Sequence, residues 1–447
     1  MSRRRKRRGV SLGTVVMLAL TLLVTAVSLS LLSKLMGDTT IELDTGRMLD
    51  ALSITDGLPE LSLSDIPISI STGKPTATPA PVDQTQTNLP ATMPPQVTAI
   101  PTETPYAGGS FTLTLGGSIC IDDAVRKSCY YSESQKYDFT ELLSLIKGEM
   151  QSDLVMLSLE NLVVPTAKVS SLIAPEAVMS MLASSGVDMV ALGFPQVYEQ
   201  GADGLASTAQ AARKAGLTTL GAYTSHEDAD NLRLVTLNNV QVAFLHYVQE
   251  LSAKSAKAIK SADAAYAVPV AEVERVRADI AAARAAGAKV VIVSVNWSGT
   301  KSTPTKAQTT LAQQMADAGA DVIVGTGTGI LQPVTWLTGQ NGHRTLCAYS
   351  LGALVSESRS NGGVAAALLQ LRIGVDGTGQ VIFEQTAYTP TYIWRYKQDS
   401  QYQYRVVASD QLAPDGMSSD QKEAMGRALT NAQKFMGEAS PLTLRAR

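Results

Sequence analysis

The sequence predicts a layered α/β domain that follows an N-terminal membrane anchor and a proline-rich stalk. From Gly109 onward, short apolar runs of strand length alternate with segments of helical spacing. An uncharged apolar run covers Val10–Leu32, and eight prolines fall within residues 75–105. Strands that alternate with helices are typical of sheets covered by helices, which is the basis of the fold-class prediction.

The composition narrows the class of protein. The chain has 447 residues and a formal net charge of −3, with 45% apolar and 5% aromatic residues. This length holds one large domain or two ordinary ones, and the apolar content fits a packed core better than a disordered chain. Because the net charge is small, no bulk field attracts nucleic acid, and we expect no nucleic-acid partner.

The N-terminus has the pattern of a single membrane-spanning helix. Six basic residues lie within residues 3–8, and the 23 residues of Val10–Leu32 carry no charge. As a helix this run is about 34 Å long, slightly more than the roughly 30 Å hydrocarbon core of a bilayer. The basic cluster favours a cytoplasmic position for residues 1–9, so the main domain is expected to be extracellular.

A cleaved signal peptide is the alternative interpretation of the same segment. Such a peptide has an apolar core of about 7–15 residues and ends at a small-residue cleavage site. The apolar run of residues 10–32 is longer and continues through Ser33–Gly37 without that pattern. The sequence therefore favours an uncleaved anchor in the cell membrane, and both interpretations place the main domain outside the cytoplasm.

Four further segments follow the anchor. Residues 33–72 form a short, mildly acidic juxtamembrane segment, and residues 73–106 form a Pro/Thr-rich linker with few large apolar side chains. A chain of this composition favours extended, polyproline-like conformations, so we expect the linker to act as a stalk. Residues 107–395 contain the predicted α/β domain, and residues 396–447 form a C-terminal extension with one helix.

Strands and helices of the domain are predicted from its apolar periodicity. Continuous apolar runs such as KVVIVSV are typical of strands covered on at least one face. The later strands lack helices between them, so part of the sheet is expected to be antiparallel. The predicted strands are Phe111–Leu115, Leu154–Leu159, Val187–Leu192, Val240–Tyr247, Lys289–Val295, Val322–Val324, Thr345–Tyr349, Val364–Gly374 and Val381–Thr391. The predicted helices are Tyr137–Met150, Pro175–Ser185, Gly204–Ala215, Val270–Ala286, Thr305–Ala318 and Ser418–Gly437, with residues 392–417 as a connection.

The three cysteines provide no metal or redox motif. No Cys-x-x-Cys pair occurs, which excludes a zinc ribbon by spacing. Cys120 and Cys129 lie nine residues apart and either close a small disulfide loop in an oxidising compartment or remain free thiols. Cys347 lies within the apolar run Thr345–Tyr349 and is expected to be a buried, small hydrophobic residue.

Glycines and polar residues follow the ends of the predicted strands, where ligands bind in layered α/β folds. The segments are Gly116–Ile119, Ser158–Asn161, Gly193–Gln196, Asn296–Gly299, Gly325–Gly329 and Tyr349–Gly352.

At these positions the sequence resembles the capsule-synthesis protein CapA family, the poly-gamma-glutamate synthesis proteins. The resemblance covers about residues 109–391 and is strongest in Gly201–Gly221, Pro304–Gly325, Leu331–Pro333 and Tyr349–Gly352. It implies a metallophosphatase-like (calcineurin-like) fold. It also implies a role in capsule or poly-gamma-glutamate handling, with an anionic envelope polymer or capsule-synthesis proteins as partners.

The sequence departs from the family where that family has metal-ligand-type residues. The family's Gly-Asp-x-Met is here Gly116–Ile119, so that Gly117 replaces the Asp. Its Asn-Leu-Glu is here Ser158–Glu160, which keeps the Glu and loses the Asn, and its Asn-Asn-His is here Phe194–Gln196.

Three further motifs change in the same way. The family's His-Trp-Gly is here Asn296–Ser298, its Gly-His-His-Pro-His is here Gly325–Gly329, and the Asn after Tyr-Ser-Leu-Gly is here Ala353. A centre of two cations about 3.5–4 Å apart needs several His, Asp and Asn donors, which Gly and Phe side chains cannot replace. The three histidines of the chain, His226, His246 and His343, fall outside the motifs. The sequence therefore predicts no metal site, no cofactor and no catalytic residue.

The remaining polar residues near these strand ends are candidates for a binding cleft. Glu160 is either a residual polar anchor or an exposed carboxylate, and His246 either lines the cleft or is a structural histidine. The loop Gly325–Gly329 looks like a phosphate loop, but Pro333 blocks the helix that such a loop must open. The candidate cleft residues are Glu160, Asn161, Gln196, His246, Asn296, Thr326, Thr328 and Gln332.

Two functions remain from the sequence. The first is a non-catalytic binding or scaffolding module for an envelope polymer. The alternative is an active hydrolase or ligase-like enzyme with an unconventional site around Glu160, Asn296 and His246.

Overall fold

The structure is a computed structural model that describes residues 40–43, 68–71, 108–357, 365–436 and 441–445. The chain divides into two compact units, residues 1–99 and 100–447. In the first unit, β1 (Thr40–Leu43) pairs antiparallel with β2 (Ile68–Ser71). The predicted anchor and stalk lie outside the described residues. Among the helices that are described, none is both long and apolar enough to span a bilayer.

Two mixed sheets and their covering helices make up the second unit. The strands are β3 Gly109–Ile119, β4 Tyr130–Tyr131, β5 Lys136–Tyr137, β6 Leu154–Leu159, β7 Met189–Ala191, β8 Thr218–Leu220, β9 Arg233–Leu237, β10 Val240–Val248, β11 Val290–Asn296, β12 Val322–Thr326, β13 Leu331–Thr338, β14 Arg344–Leu351, β15 Ala353–Val355, β16 Ala365–Val375, β17 Val381–Gln398, β18 Gln401–Ala408 and β19 Thr443–Leu444. The α-helices are α1 Asp123–Ser128, α2 Ala177–Ser184, α3 Gly201–Lys214, α4 His226–Asp230, α5 Ala253–Ala258, α6 Ser261–Ala264, α7 Val273–Ala285, α8 Lys306–Asp317 and α9 Ser419–Met436.

The larger sheet has a parallel half and an antiparallel half, whereas the smaller sheet has a parallel centre and an antiparallel strand at each edge. The larger sheet has the order β18-β17-β16-β3-β6-β7-β8, with β15 beside β3 and β19 beside β17. The smaller sheet has the order β13-β14-β12-β11-β10-β9. Strands β3, β6, β7 and β8 run parallel, as do β10, β11, β12 and β14. Antiparallel pairing of β16 with β17 and of β13 with β14 confirms the mixed α/β prediction.

The two sheets pack face to face with helices outside them. Phe111 and Met156 of the larger sheet share an apolar cluster with Phe244 and Ile292 of the smaller one. The outer face of the larger sheet packs against α2 and α3, and that of the smaller sheet packs against α7 and α8. The carboxyl ends of the parallel strands of both sheets therefore open at the edge where the candidate cleft was predicted.

Most predicted elements are confirmed, but the predicted helix Tyr137–Met150 is wrong. The structure has two 3₁₀-helices instead, Thr140–Leu142 and Ser144–Glu149. The buried side chains Phe139, Leu142, Leu143 and Ile146 fall in pairs three residues apart. These positions also have the i, i+3, i+4, i+7 spacing of an amphipathic α-helix, which is why the sequence predicts one. The structure interrupts the helix at Leu143, whose φ of −108° and ψ of 1° separate the two 3₁₀-helices.

Residues 392–417 are not a simple connection. Strand β17 continues to Gln398 and turns through Asp399 and Ser400, both with positive φ, into β18. The predicted boundary at residue 395 falls within β17. The Asp-Ser turn lacks the Asn-Gly signal of a two-residue hairpin, so no local pattern indicated that β17 continues into a hairpin. The predicted C-terminal helix is confirmed as α9.

Candidate functional site

The interface between the sheets changes from apolar to polar at the carboxyl ends of the parallel strands. A β-bulge between Leu115 and Ser118 shifts the alternation of β3 by one residue. Ser118 therefore comes into register with Ser158 of β6 and faces the smaller sheet. Asn296 and Thr326 stand in register at the ends of β11 and β12. All four side chains are almost completely buried.

Glu160 joins the two sheets at this polar end. Its Oε1 accepts a hydrogen bond of 3.0 Å from Nδ2 of Asn296, and its backbone N–H donates to the carbonyl of Ile119. The Ser118 hydroxyl and the backbone N–H of Gly327 also donate to the carboxyl group. The structure thus brings together Glu160 and Asn296, both predicted from the sequence, across the interface.

The pKa of Glu160 is raised from its ordinary value. Its side chain still reaches solvent in part, but the protein that surrounds the carboxyl group removes most of its hydration. Burial is the largest cause and raises the pKa, whereas the donors from Asn296, Ser118 and Gly327 lower it. The arrangement can hold a proton on a carboxyl group that has neutral hydrogen-bond partners on both sides.

Two buried polar atoms of this cluster have no hydrogen-bond partner within the described residues. They are Oδ1 of Asn296 and Oγ of Ser158. A buried polar atom without a partner costs about 1–3 kcal/mol, so such atoms mark sites that a ligand or water can complete.

Backbone atoms occupy the space that larger residues would need at the changed motif positions. A Cβ on Gly117 would lie 2.0 Å from the carbonyl oxygen of Gly352, where the chain crosses from β14 to β15. Gly327 has φ +89°, and a Cβ there would lie 2.4 Å from the carbonyl oxygen of Trp297. The backbone therefore rules out an aspartate at 117 and strains any side chain at 327 unless the main chain moves.

The residues present do not fit a pair of divalent cations. The polar end offers one carboxylate, Glu160, and one amide oxygen, Asn296, with hydroxyl groups around them. Within the described part of the chain, no group of three or more His, Cys, Asp or Glu side chains is placed to hold a metal ion. A two-cation centre needs more anionic and imidazole donors than this set supplies.

His246 is a buried structural residue with both ring nitrogens bonded. Its Nε2 is 2.9 Å from the carbonyl oxygen of Gly193, and its Nδ1 is 3.0 Å from Oγ of Ser294. The ring fills a slot between Gly193 and Gly221, where a Cβ would lie within 2.6 Å of it. Burial lowers its pKa to about 4, so the imidazole is neutral at pH 7.

Other predicted cleft residues hold local structure. Asn161 is buried and bonds the backbone of Ile121 through both ends of its amide. The hydroxyl of Thr328 donates to the carbonyl of Ile330 and lies within hydrogen-bond distance, 2.8 Å, of the Ser350 hydroxyl. Thr326 is the exception, since its hydroxyl lies 3.5 Å from Nδ2 of Asn296 and belongs to the polar end.

The last two candidates lie apart from Glu160. Gln332 bonds Gln308, whose side chain caps the start of α8 through Thr305. Gln196 is exposed on the loop after β7. Strand β13 follows the loop Gly325–Gly329, so that loop does not open a helix and lacks the dipole of a phosphate loop.

The mouth of the cluster is acidic. Cys120 lies beside Glu160, Asp122 and Glu357, and burial together with these three carboxylates raises the pKa of its thiol to about 12. Cys120, Cys129 and Cys347 are all free thiols in the structure, and Cys347 is fully buried as expected. An anionic ligand that entered here would meet negative charge.

Comparison with known proteins establishes the family. The profile of the family described as "Bacterial capsule synthesis protein PGA_cap" matches residues 112–358, more than half of the chain. The chain belongs to the PGA_cap family. The match starts within β3 and ends just after β15, so it includes every residue of the polar end.

Two curated relatives agree with this assignment. The "PGA biosynthesis protein CapA" of Bacillus subtilis (strain 168) is 30% identical over 196 residues, which is 42% of this chain and 47% of the relative. The "Capsule biosynthesis protein CapA" of Bacillus anthracis is 26% identical over 206 residues, 46% of this chain and 49% of the relative. The chain thus spans about half the length of the curated relatives it matches.

Solved structures show only weak likeness. The NAD nucleotidase of Haemophilus influenzae has a TM-score of 0.41 at 10% identity, covering 76% of this chain and 64% of that one. The sulfate thiohydrolase SoxB ("Termus thermophilus") has a TM-score of 0.34 at 14% identity, covering 63% and 42%. Scores of this size carry no argument about the activity of this chain.

Sequence reasoning missed Ser118, Ser158 and the N–H of Gly327 as members of the site. Ser118 and Ser158 stood within the motifs at the ends of the predicted strands and lie inside β3 and β6 in the structure. Strict alternation from Phe111 places residue 117, not 118, on the inner face. The pair Gly116-Gly117 was the signal for the bulge that moves Ser118 inward.

Proposed function

We propose that this PGA_cap protein is a membrane-anchored, extracellular module that binds or scaffolds a capsule or related envelope polymer without catalysing its synthesis or hydrolysis. Family membership and the likeness to the two CapA relatives, whose names refer to PGA and capsule biosynthesis, support the capsule role. The charge pattern of residues 1–32 supports the anchor and the orientation.

One observation carries the non-catalytic part of the proposal. At position 117, where the resembling family has an Asp, the backbone of Gly352 fills the space of a side chain. An aspartate at 117 could therefore not be restored by replacing one side chain, because the backbone between β14 and β15 would also have to move. The carboxyl group of Glu160 is bonded instead to Asn296, Ser118 and Gly327.

Polymer binding and polymer cleavage can be measured on the same sample. The full chain, purified in detergent, is incubated with poly-γ-glutamate or with cell-wall fragments, with and without Mn²⁺, and then sedimented. The proposal expects the polymer to be retained by the protein and its chain length to stay unchanged. Shortening or extension of the polymer that depends on this protein would contradict the non-catalytic role, and absence of binding to every polymer would contradict the binding role.

The alternative is a hydrolase or ligase-like enzyme, and one observation favours it. Glu160 has a raised pKa and stands beside two unpartnered polar atoms, which is the kind of environment that general acids use. The Glu160→Gln variant decides between the two, because the amide keeps the acceptor for Asn296 but cannot transfer the proton. An activity present in the wild type and lost in Glu160→Gln identifies the enzyme.

A further inference from the structure

A cavity of about 710 Å³ lies between the hairpin of β17 and β18 and the helix α9. Its volume falls within the roughly 300–1,000 Å³ that is typical of ligand sites. Ten of its eleven lining residues come after residue 392, and the family profile ends at residue 358. The cavity is therefore a feature of this chain outside the matched family segment.

Positive charge dominates the lining of this cavity. Arg395, Lys397 and Arg427 supply three cationic groups, and Asp420 supplies the one lining carboxylate. All three cationic residues are exposed. Arg427 pairs with Glu423 one turn away on α9, an exposed pair that a ligand carboxylate can replace at little cost.

A tyrosine ring holds two of the cations in place. The guanidinium carbon of Arg395 is 4.6 Å from the ring centroid of Tyr402, and Nζ of Lys397 is 5.3 Å from it. Tyr402 pairs directly across the hairpin with Lys397. Within the described part of the chain, neither Arg395 nor Lys397 forms an ion pair with a carboxylate. The two charges are thus positioned by an aromatic face, and neither is paired with a carboxylate, although the charge of Arg395 also reaches Glu357.

The polar end around Glu160 has the opposite character. Asp122 and Glu357 lie together at its mouth, where the backbone N–H of Glu357 donates to Oδ2 of Asp122, and these two carboxylates repel anions. A polyanion is attracted to the cavity beside α9 and repelled from the acidic mouth, because charge complementarity selects between the two.

We propose that the cavity lined by Arg395, Lys397 and Arg427 is a binding site for a carboxylate-bearing polymer, and that the polar end around Glu160 is not. This inference rests on the proposed function and locates its binding step. The planar guanidinium groups of Arg395 and Arg427 suit carboxylates, which they bind through two parallel N–H donors.

The test uses the full chain in detergent and a triple variant, Arg395→Gln with Lys397→Gln and Arg427→Gln. A matched control carries Lys254→Gln, Arg277→Gln and Lys306→Gln, three exposed cations that do not line this cavity. Affinity for poly-γ-glutamate, for inorganic polyphosphate and for neutral dextran is measured by fluorescence anisotropy at low and at high salt. The cavity variant is expected to lose about tenfold in polyglutamate affinity, and the control less than about twofold.

The possible outcomes separate this inference from the proposed function. Wild-type binding that the cavity variant retains in full would overturn the inference and leave the proposed function standing. No polyglutamate binding by the wild type would overturn the inference, and the proposed function falls with it only when cell-wall fragments are not bound either. Tighter binding of polyphosphate than of polyglutamate, lost in the cavity variant, would overturn the assignment to carboxylates. Equal losses in the cavity variant and the control would show a general charge effect and also overturn it.

Discussion

The polar end of the sheet interface and the cavity beside α9 are two concave regions with opposite properties. At the polar end, main-chain atoms approach within 2.4 Å of where side chains at 117 and 327 would begin, and carboxylates surround the entrance. Beside α9 the space is open, and its exposed side chains are mainly cationic. The residues of the first region lie within the segment that the family profile matches, whereas those of the second lie after its end.

This difference teaches that position within a fold and capacity to bind are separate properties. The strand ends still converge, and Glu160 still meets Asn296 across the interface. The carboxyl group of Glu160 finds its hydrogen-bond partners within the protein, so this contact stabilises the packing of the two sheets, while Oδ1 of Asn296 and Oγ of Ser158 stay without a partner within the described residues. The exposed cations beside α9 contribute little to stability and are free to act on a ligand.

Replacement of Gly117 is expected to have the largest effect, and it tests whether the backbone closes the polar end. A side chain at 117 must displace the carbonyl of Gly352, so Gly117→Asp is expected to lower the free energy of unfolding by about 3 kcal/mol or more. Gly148→Asp is the control, since a Cβ on Gly148 meets no atom within 4 Å. Denaturant titration of both variants measures the difference. A Gly117→Asp variant as stable as the wild type would mean that the polar end is open after all.

The buried imidazole predicts a loss of stability in acid. His246 has a folded-state pKa of about 4 against an ordinary value of about 6.5, so the unfolded chain binds the proton more readily. This contribution is fully present above pH 6.5, and up to about 3 kcal/mol is lost as the pH falls from 6.5 to 4.

Histidine NMR measures this titration directly, because the chain has only three histidines. Variants His226→Gln and His343→Gln assign the signals. A signal of His246 that titrates near pH 6.5 in the folded protein would contradict the enclosed slot between Gly193 and Gly221.

Removal of the Asn296 amide tests whether its hydrogen bond to Glu160 stabilises the interface between the sheets. Asn296→Ala deletes the donor to Glu160 and leaves a small cavity, which is expected to cost about 2 kcal/mol of unfolding free energy. Because that donor lowers the pKa of Glu160, the variant should raise this pKa further. The exposed variant Asn231→Ala serves as control. Carboxyl NMR that shows an unchanged or lowered pKa for Glu160 would contradict the contact.

The smallest effect is expected from the cations beside α9. The triple variant of Arg395, Lys397 and Arg427 should change the free energy of unfolding by no more than about 1 kcal/mol, since exposed ion pairs and cation–π contacts contribute little each. Thermal unfolding of this variant and of the wild type measures this difference in stability. A loss of several kcal/mol would assign these residues to folding and not to binding.

Much of the fold could be predicted from the sequence because buried strands are continuous apolar runs. LVMLSL became β6 without change of bounds, and KVVIVSV became β11 within one residue at each end. The short strand β8 and the strand β13 were not predicted. β8 has three residues and a threonine-rich sequence, and β13 carries Pro333, which is tolerated because β13 is an edge strand.

The candidate site could be predicted only in part, because its geometry depends on contacts between distant segments. Glu160 and Asn296 follow their strands directly, so strand ends alone pointed to both. The position of Gly352 over Gly117 depends on where the chain leaves the smaller sheet, and no local pattern shows that. Gln196 is exposed on the loop after β7, and Gln332 lies within β13, where it bonds Gln308 instead of Glu160.

Metal content tests the central claim most directly. The full chain is incubated with Mn²⁺, Fe²⁺ or Zn²⁺, desalted and analysed for elements, beside the variant Glu160→Gln. A polar end with one carboxylate and one free amide oxygen predicts far less than one ion per chain, with no difference between the two proteins. A stoichiometric pair of ions in the wild type that is lost in Glu160→Gln would contradict the account.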